Sequence, residues 1–212
     1  MIVSLNEIES LTLKACRGVG VSWGLAEEAA QAARWLASHG VAWDRSLVML
    51  LSHHTETAPP VRIGRSIVSS QAGAPLCPIH AGTAIADLLD VDDSWTVDDV
   101  LQPVWLVPLV HSSHSLRSQL ILRTPGDALT LAADQLTGSL HALSQINRIA
   151  RIHVELGPPD ADPIDARVPM PASFRVDAGA WGKLEGYAAL TYVPASLQSR
   201  ISGAGAGVSD ND

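Results

Sequence analysis

From Ser4 to Leu36 the apolar residues recur at intervals of three and four, which predicts two amphipathic helices in succession. Ile8, Leu11, Ala15 and Val19 make one stripe; Leu25, Ala29, Ala32 and Leu36 make the second. Ser4-Leu5-Asn6-Glu7 opens the first helix as a capping box, in which the Ser4 hydroxyl accepts from the Glu7 N–H and the Glu7 side chain reaches back to Ser4. Gly18 or Gly20 ends it. Ser22 is placed to cap the second helix, Glu27 and Glu28 lie early in it where the helix dipole favours negative charge, and Gly40 falls at the C′ position. Its many alanines let it lie close against a neighbour. The two form a helical hairpin, and Leu47 to Leu51 predicts a short third helix before the polar stretch Ser52-His53-His54-Thr55.

The period changes after Pro59-Pro60. The stretch from Val61 to Pro78 is rich in small residues, Ser and Gly, which predicts strands and loops. Thr83 to Leu89 predicts a short helix, followed by the acidic loop Asp90-Val91-Asp92-Asp93. Asp92, Asp93, Asp98 and Asp99 lack the spacing of an EF-hand loop and are interrupted by Trp95, so they read as a solvated turn plus a helix cap. Four candidate strands follow: Val104–Val110, Leu116–Arg123, Ala128–Ala132 and Ile149–Leu156. Only the last shows clean alternation, with Ile152, Val154 and Leu156 against His153 and Glu155. Thr124-Pro125-Gly126-Asp127 is a hairpin turn, which predicts antiparallel pairing, and Asp134–Ser144 is a candidate short helix. After the Pro-rich link Pro158 to Pro171, Asp177 caps a final helix over Ala178 to Leu190, and a Gly-rich tail closes the chain. The expected fold is therefore α+β, one domain over residues 1–212. Its N-terminal helical hairpin (1–51) packs on a mostly antiparallel sheet (61–176), with a C-terminal helix and Gly-rich tail (177–212).

Composition narrows the functional classes. A chain of 212 residues, 47% hydrophobic and 17% charged, is long enough for one sizeable core. Its net charge of −8, with Lys14 and Lys183 the only lysines and no basic stripe, disfavours nucleic acid and anionic membrane surfaces as partners. Cys16 and Cys77 are too few for a disulfide framework and read as reduced core residues. The longest apolar run, Val104 to Val110, is far short of a membrane span, and the N-terminus enters helical sequence without a basic signal segment. A cytoplasmic protein is expected.

Candidate chemistry is sparse. His111-Ser112-Ser113-His114 supplies an i, i+3 pair, but zinc needs further ligands, and His53, His54 and His80 reach it only through long-range folding. No HExxH, facial-triad or CxxC pattern is present, so no metal is expected. There is no GxSxG elbow, and the cysteines lack flanking groups that would activate them. The tail is more distinctive. Gly203, Gly205 and Gly207 remove every second side chain, so that successive N–H groups can form a nest for a carboxylate or phosphate, with Arg200 just upstream as a bidentate anion contact. The spacing matches neither GxGxxG nor a Walker loop, so no nucleotide or other cofactor is identified. Glu27 and Arg34, seven apart, lie off the buried stripe of the second helix, where they face either solvent or a pocket mouth.

The opening Ser4-Leu5-Asn6-Glu7-Ile8-Glu9, the segment Gly20-Val21-Ser22-Trp23-Gly24-Leu25-Ala26-Glu27-Glu28-Ala29 with Ala33-Arg34-Trp35-Leu36, and the closing Tyr192-Val193-Pro194-Ala195-Ser196, Gly203 to Gly207 and Asp210-Asn211-Asp212 resemble the DUF3726 family of bacterial proteins. The family has no assigned activity, so the resemblance implies an ordered, functional tail and no reaction. The N-terminal helices are also similar to those of the malate/L-lactate dehydrogenase-like NAD(P)-dependent oxidoreductases, which carry Ser-His-Gly near their catalytic histidine. Here Ser38-His39-Gly40 directly follows the second helix without the intervening loop, and reads as a helix C-cap.

The expected function is the binding, and conversion as a metabolic enzyme, of a small anionic metabolite such as a carboxylate or amino-acid derivative. Its pocket would draw Trp23, Glu27 and Arg34 from the second helix and Tyr192, Ser196, Ser199, Arg200, Gly203, Gly205 and Gly207 from the C-terminus. Arg34 and Arg200 would hold the anion, with Glu27 or Tyr192 transferring protons. The alternative is a non-catalytic subunit or ligand-binding module, whose tail docks into a partner protein or a second copy of the chain.

Overall fold

The computed structural model describes residues 1–89, 93–111, 119–126, 128–132, 135–157 and 173–192. Strand β1 (Ile2–Val3) leads into α1 (Leu5–Gly18), and the capping box is present with Ser4 Oγ accepting from the Glu7 N–H at 3.3 Å and Glu7 Oε2 from the Ser4 N–H at 2.7 Å. Gly20, at φ +96°, turns the chain into α2 (Trp23–Ser38). Ser22 occupies the N-cap position, but its side chain makes no capping bond. Ala29, Ala32 and Leu36 are buried as their spacing implies, Leu25 is half-buried, and Gly40 takes the left-handed C′ conformation at φ +72°. Helix α3 (Trp43–Ser52) extends four residues further towards the N-terminus than Leu47, and buries Trp43 and Asp44 there.

Among the described residues the main sheet has seven strands, in the order β2 (Pro60–Ile63), β3 (Ser66–Ser69), β4 (Ser94–Leu101), β8 (Arg148–Gly157), β5 (Gln119–Arg123), β6 (Ala128–Ala132) and β7 (Gln135–Thr137). Every pairing is antiparallel except β3 with β4, whose parallel register requires a crossover, supplied by α4 (Pro78–Leu89). The β5–β6 hairpin forms as its turn residues predict. A second, two-stranded sheet pairs β1 with β9 (Phe174–Arg175), tying the start of the chain to the segment that precedes α7 (Ala178–Ala189).

Three sequence expectations give way. Val104–Val110 is not a strand: Pro103–Trp105 forms a 3-10 turn and Leu106–His111 forms α5. The segment is buried on all sides, so it has no amphipathic period to separate helix from strand, and Pro108 sits in the first helical turn where its missing N–H costs nothing. Of the candidate helix Asp134–Ser144, Asp134 lies outside the described residues and the rest is only partly helical, with β7 preceding a shorter α6 (Leu140–Ser144). Asp98 and Asp99 do not belong to a turn or a helix cap. They lie on β4, where Arg151 grips Asp98 (Nε to Oδ1, 2.6 Å) and Arg148 grips Asp99 (Nε to Oδ1, 2.5 Å) from the neighbouring strand β8. Asp90 and Asp92 lie outside the described residues.

The sheet is one-sided. Trp95, Val97, Val100, Leu120, Leu122, Ile152 and Val154 are buried on the face covered by helices, while Thr96–His153, Asp98–Arg151 and Arg123–Glu155 pair on the other. Asp99, at φ +55°, steps the alternation by one residue, so that Val97 and Val100 both face inward. Helices α4 and α5 lie against β4 and β5; α2 packs on α4 and α5, α1 on α2, and α7 on α1. The N-terminal hairpin thus covers the sheet through α4 and α5.

Helix α7 is held to α3 by polar contacts. Asp177 caps α7, accepting from the Ala180 N–H at 2.8 Å, and pairs with Arg45 at 2.8 Å, while the buried Asp44 accepts the Asp177 N–H at 2.6 Å. The Arg45 hydrogen bond, then that from Ala180, hold the Asp177 carboxyl below its ordinary range. A depressed folded value means the stabilisation is fully present above the unfolded value, near ~4, and is lost as pH falls through the folded one. We therefore expect the melting temperature to fall steadily below about pH 4. In Asp177→Asn, which keeps an acceptor at the cap but does not titrate, the fall should be shallower; equal slopes in a pH series of thermal melts would refute the assignment.

Candidate functional site

Among the described residues, three of the hollows lie beside α1 and α2, each fixed by which elements meet. The first is a groove of about 490 Å³ between α1 and α2, lined by Asn6, Glu9 and Ser10 from one helix and Glu27 and Gln31 from the other. Trp23 is exposed; its indole N–H donates to Glu27 Oε1 at 2.6 Å, and the Arg17 guanidinium stands 5.6 Å above its ring. The second, about 530 Å³ between α1 and α7, includes Lys14, Glu185 and Tyr192, and shares Asn6 and Ser10 with the first.

The third is a cleft of about 320 Å³ between α2 and α5. From α2 it takes Glu28, Gln31, Ala32, Arg34, Trp35 and Ser38, a ladder at spacings of three and four that runs beside the core stripe. Pro108 and His111 of α5 and Leu5 of α1 complete it. The surface is mainly apolar, with charge concentrated on Arg34 and Glu28. Trp35 is held by its neighbours: the His39 ring stacks on it at 3.7 Å and His111 lies tilted at 6.1 Å.

The sequence-predicted residues fall into different hollows. Glu27 lines the α1–α2 groove and accepts from the exposed Trp23, which does not line it; Arg34 lines the α2–α5 cleft, and Tyr192 lines the α1–α7 groove. Ser196, Ser199, Arg200, Gly203, Gly205 and Gly207 lie outside the described residues, as do Ser112, Ser113 and His114. Nothing in the sequence marked Trp35 or Pro108 as cleft residues; Ser38 stood out only as part of a helix end, and His111 only as one of an i, i+3 histidine pair. The Glu28–Gln31–Trp35–Ser38 ladder was visible as a second, mixed stripe on α2, but only the packing of α5 beside it makes a cleft.

Other groups are accounted for locally. His39 is the C-cap of α2: its Nδ1 lies 2.8 Å from the Trp35 carbonyl oxygen, to which the Ser38 hydroxyl also donates at 2.7 Å, so Ser38-His39-Gly40 acts as a helix end. Cys16 and Cys77 are free and buried; burial, reinforced by Cys77, pushes the Cys16 thiol up to about 12, and burial also raises Cys77. Both remain protonated thiols and poor nucleophiles. Burial lowers the pKa of His80, with a smaller contribution from His54. Among the described residues no three His, Cys, Asp or Glu side chains cluster as metal ligands, and no helix is long and apolar enough to cross a membrane.

The fold and its hollows define an α+β protein with a one-sided, mostly antiparallel sheet covered by helices. Residues 3–74 match the model of a family described as "Protein of unknown function (DUF3726)", which bears out the resemblance over α1 to β3. The C-terminal motifs fall outside that match. No curated protein matches the chain. The crystal structure of malate dehydrogenase from Entamoeba histolytica is similar over 77% of this chain and 50% of that one, at 11% identity and a TM-score of 0.42. This chain thus spans half the length of that enzyme, and a likeness of that size supports no conclusion about activity.

Proposed function

We propose that the α2–α5 cleft binds a small carboxylate-bearing metabolite with an apolar body, of the amino-acid-derivative type. The observation that carries this reading is the placing of Arg34 beside Trp35 on one mainly apolar wall. Arg34 spends Nη1 on α1, donating to Asn6 Oδ1 at 2.9 Å and Glu9 Oε2 at 3.0 Å. Its planar fork offers a carboxylate the remaining donors. Trp35, Ala32, Leu5 and Pro108 would cover the apolar body, and a cleft of about 320 Å³ suits a compact ligand. Glu28 lies six residues from Arg34, about 9 Å along the helix axis, and favours an amino or amide group at the far end of the molecule.

The test is calorimetric titration with 3-phenylpropionate and phenylalanine at low salt. Binding to the full chain is expected, and Arg34→Gln should weaken it by about tenfold, the loss of one charge-assisted bidentate contact. Glu27→Gln and Tyr192→Phe line the other hollows and should leave it unchanged. Equal affinities for wild type and Arg34→Gln would overturn the reading, as would no binding at all.

A further inference from the structure

Arg34 comes to the cleft already engaged. Its Nη1 pairs with Glu9 at 3.0 Å, and the two side chains are 41% and 42% exposed. Glu9 and Asn6 line the α1–α2 groove, while Gln31 lines both that groove and the cleft. Arg34 therefore reaches across the wall between two hollows, with a carboxylate of the chain itself on Nη1 and its other donors left to a ligand. A half-exposed pair of this kind is weak, corresponding to about a two- to fivefold effect on an equilibrium.

Resting on the reading of the cleft given above, we propose that Glu9 is an internal competitor for Arg34 and sets the affinity threshold of the cleft for carboxylates. An incoming carboxylate meets Glu9 at the same guanidinium. Crowding or separating the pair carries the same cost for every anion. A bare anion such as acetate shares a guanidinium already neutralised by Glu9 and gains little. 3-Phenylpropionate adds burial of its ring against Trp35 and Pro108, and so exceeds the threshold. Because the cost is common to both, relieving it tightens both ligands by the same factor and leaves their ratio unaltered.

Glu9→Gln in the full chain tests this, since glutamine keeps the shape and a hydrogen-bonding oxygen but removes the charge. Affinities for 3-phenylpropionate and acetate, followed by the Arg34 side-chain NMR signals, should both tighten about two- to fivefold over wild type. Glu9→Asp, whose shorter arm draws the carboxylate back from Nη1, should give intermediate values. If Glu9 only ties α1 to α2, Glu9→Gln lowers the melting temperature without tightening either ligand, which overturns the proposal. Wild type that binds, Arg34→Gln that does not and Glu9→Gln that equals wild type would sink the competitor role and leave the cleft standing. Folded wild type and Glu9→Gln that both ignore the two carboxylates would remove the cleft reading and Glu9's role together.

Discussion

Gly18→Ala is expected to destabilise the protein by about 3 kcal/mol or more, an overpacking cost at the upper end because the obstacle is backbone. A Cβ at Gly18 would lie 1.8 Å from the Tyr187 carbonyl oxygen and 2.8 Å from its carbon. Neither can swing aside as a side-chain tip would, so α1 and α7 must separate along their whole contact. That contact buries Leu184 and Ala188 of α7, and its loosening should expose them together with the α1–α7 groove. Gly24 and Gly182 are the controls. Both are helical, and an added Cβ at either meets nothing within 4 Å, so alanine there should stabilise by up to about 1 kcal/mol through helix propensity alone. Urea denaturation of the three variants reads the difference; a Gly18→Ala midpoint equal to wild type would mean that the two helices are not packed this closely.

Trp105→Ala should cost about 3–5 kcal/mol, the range for removing a large buried aromatic side chain. Trp105 is fully buried in the 3-10 turn ahead of α5, and its indole N–H donates to Ser46 Oγ on α3 at 2.9 Å; that hydroxyl in turn donates to the Trp43 carbonyl at 2.8 Å. The side chain pins the start of α5 to α3, and α5 carries Pro108 and His111 to the cleft. Loss of stability should therefore be accompanied by weaker 3-phenylpropionate binding in the fraction that remains folded. Trp105→Phe keeps most of the apolar volume and loses the hydrogen bond, so it should cost less than the alanine variant. A Trp105→Ala midpoint within about 1 kcal/mol of wild type would show that the turn is held by something else.

What was legible in the sequence follows short-range rules. The Ser4–Glu7 capping box, the stripes of α1 and α2, the left-handed Gly40, the Asp177 cap and the alternation of β8 each depend on residues three or four apart, or two apart in a strand. Each is borne out where such rules apply. The acidic run at Asp98 and Asp99 misled because its partners, Arg151 and Arg148, are 53 and 49 residues away, and without them four aspartates read as a solvated turn. Val104–Val110 misled for the opposite reason: buried on every side, it carries no period at all.

The candidate site divides along the same line. That α2 has an exposed face bearing Trp23, Glu27 and Arg34 is written in its heptad-like spacing, and any helix with these residues would show it. Which hollow each residue enters is decided by the two helices that flank α2. Packing of α1 gives Arg34 the Glu9 carboxylate from 25 residues away and closes the groove over Glu27, while packing of α5 sets Pro108 and His111 opposite Trp35. Periodicity along one helix specifies which face is polar; a cleft is a relation between faces, and only burial of the shared core brings those faces together.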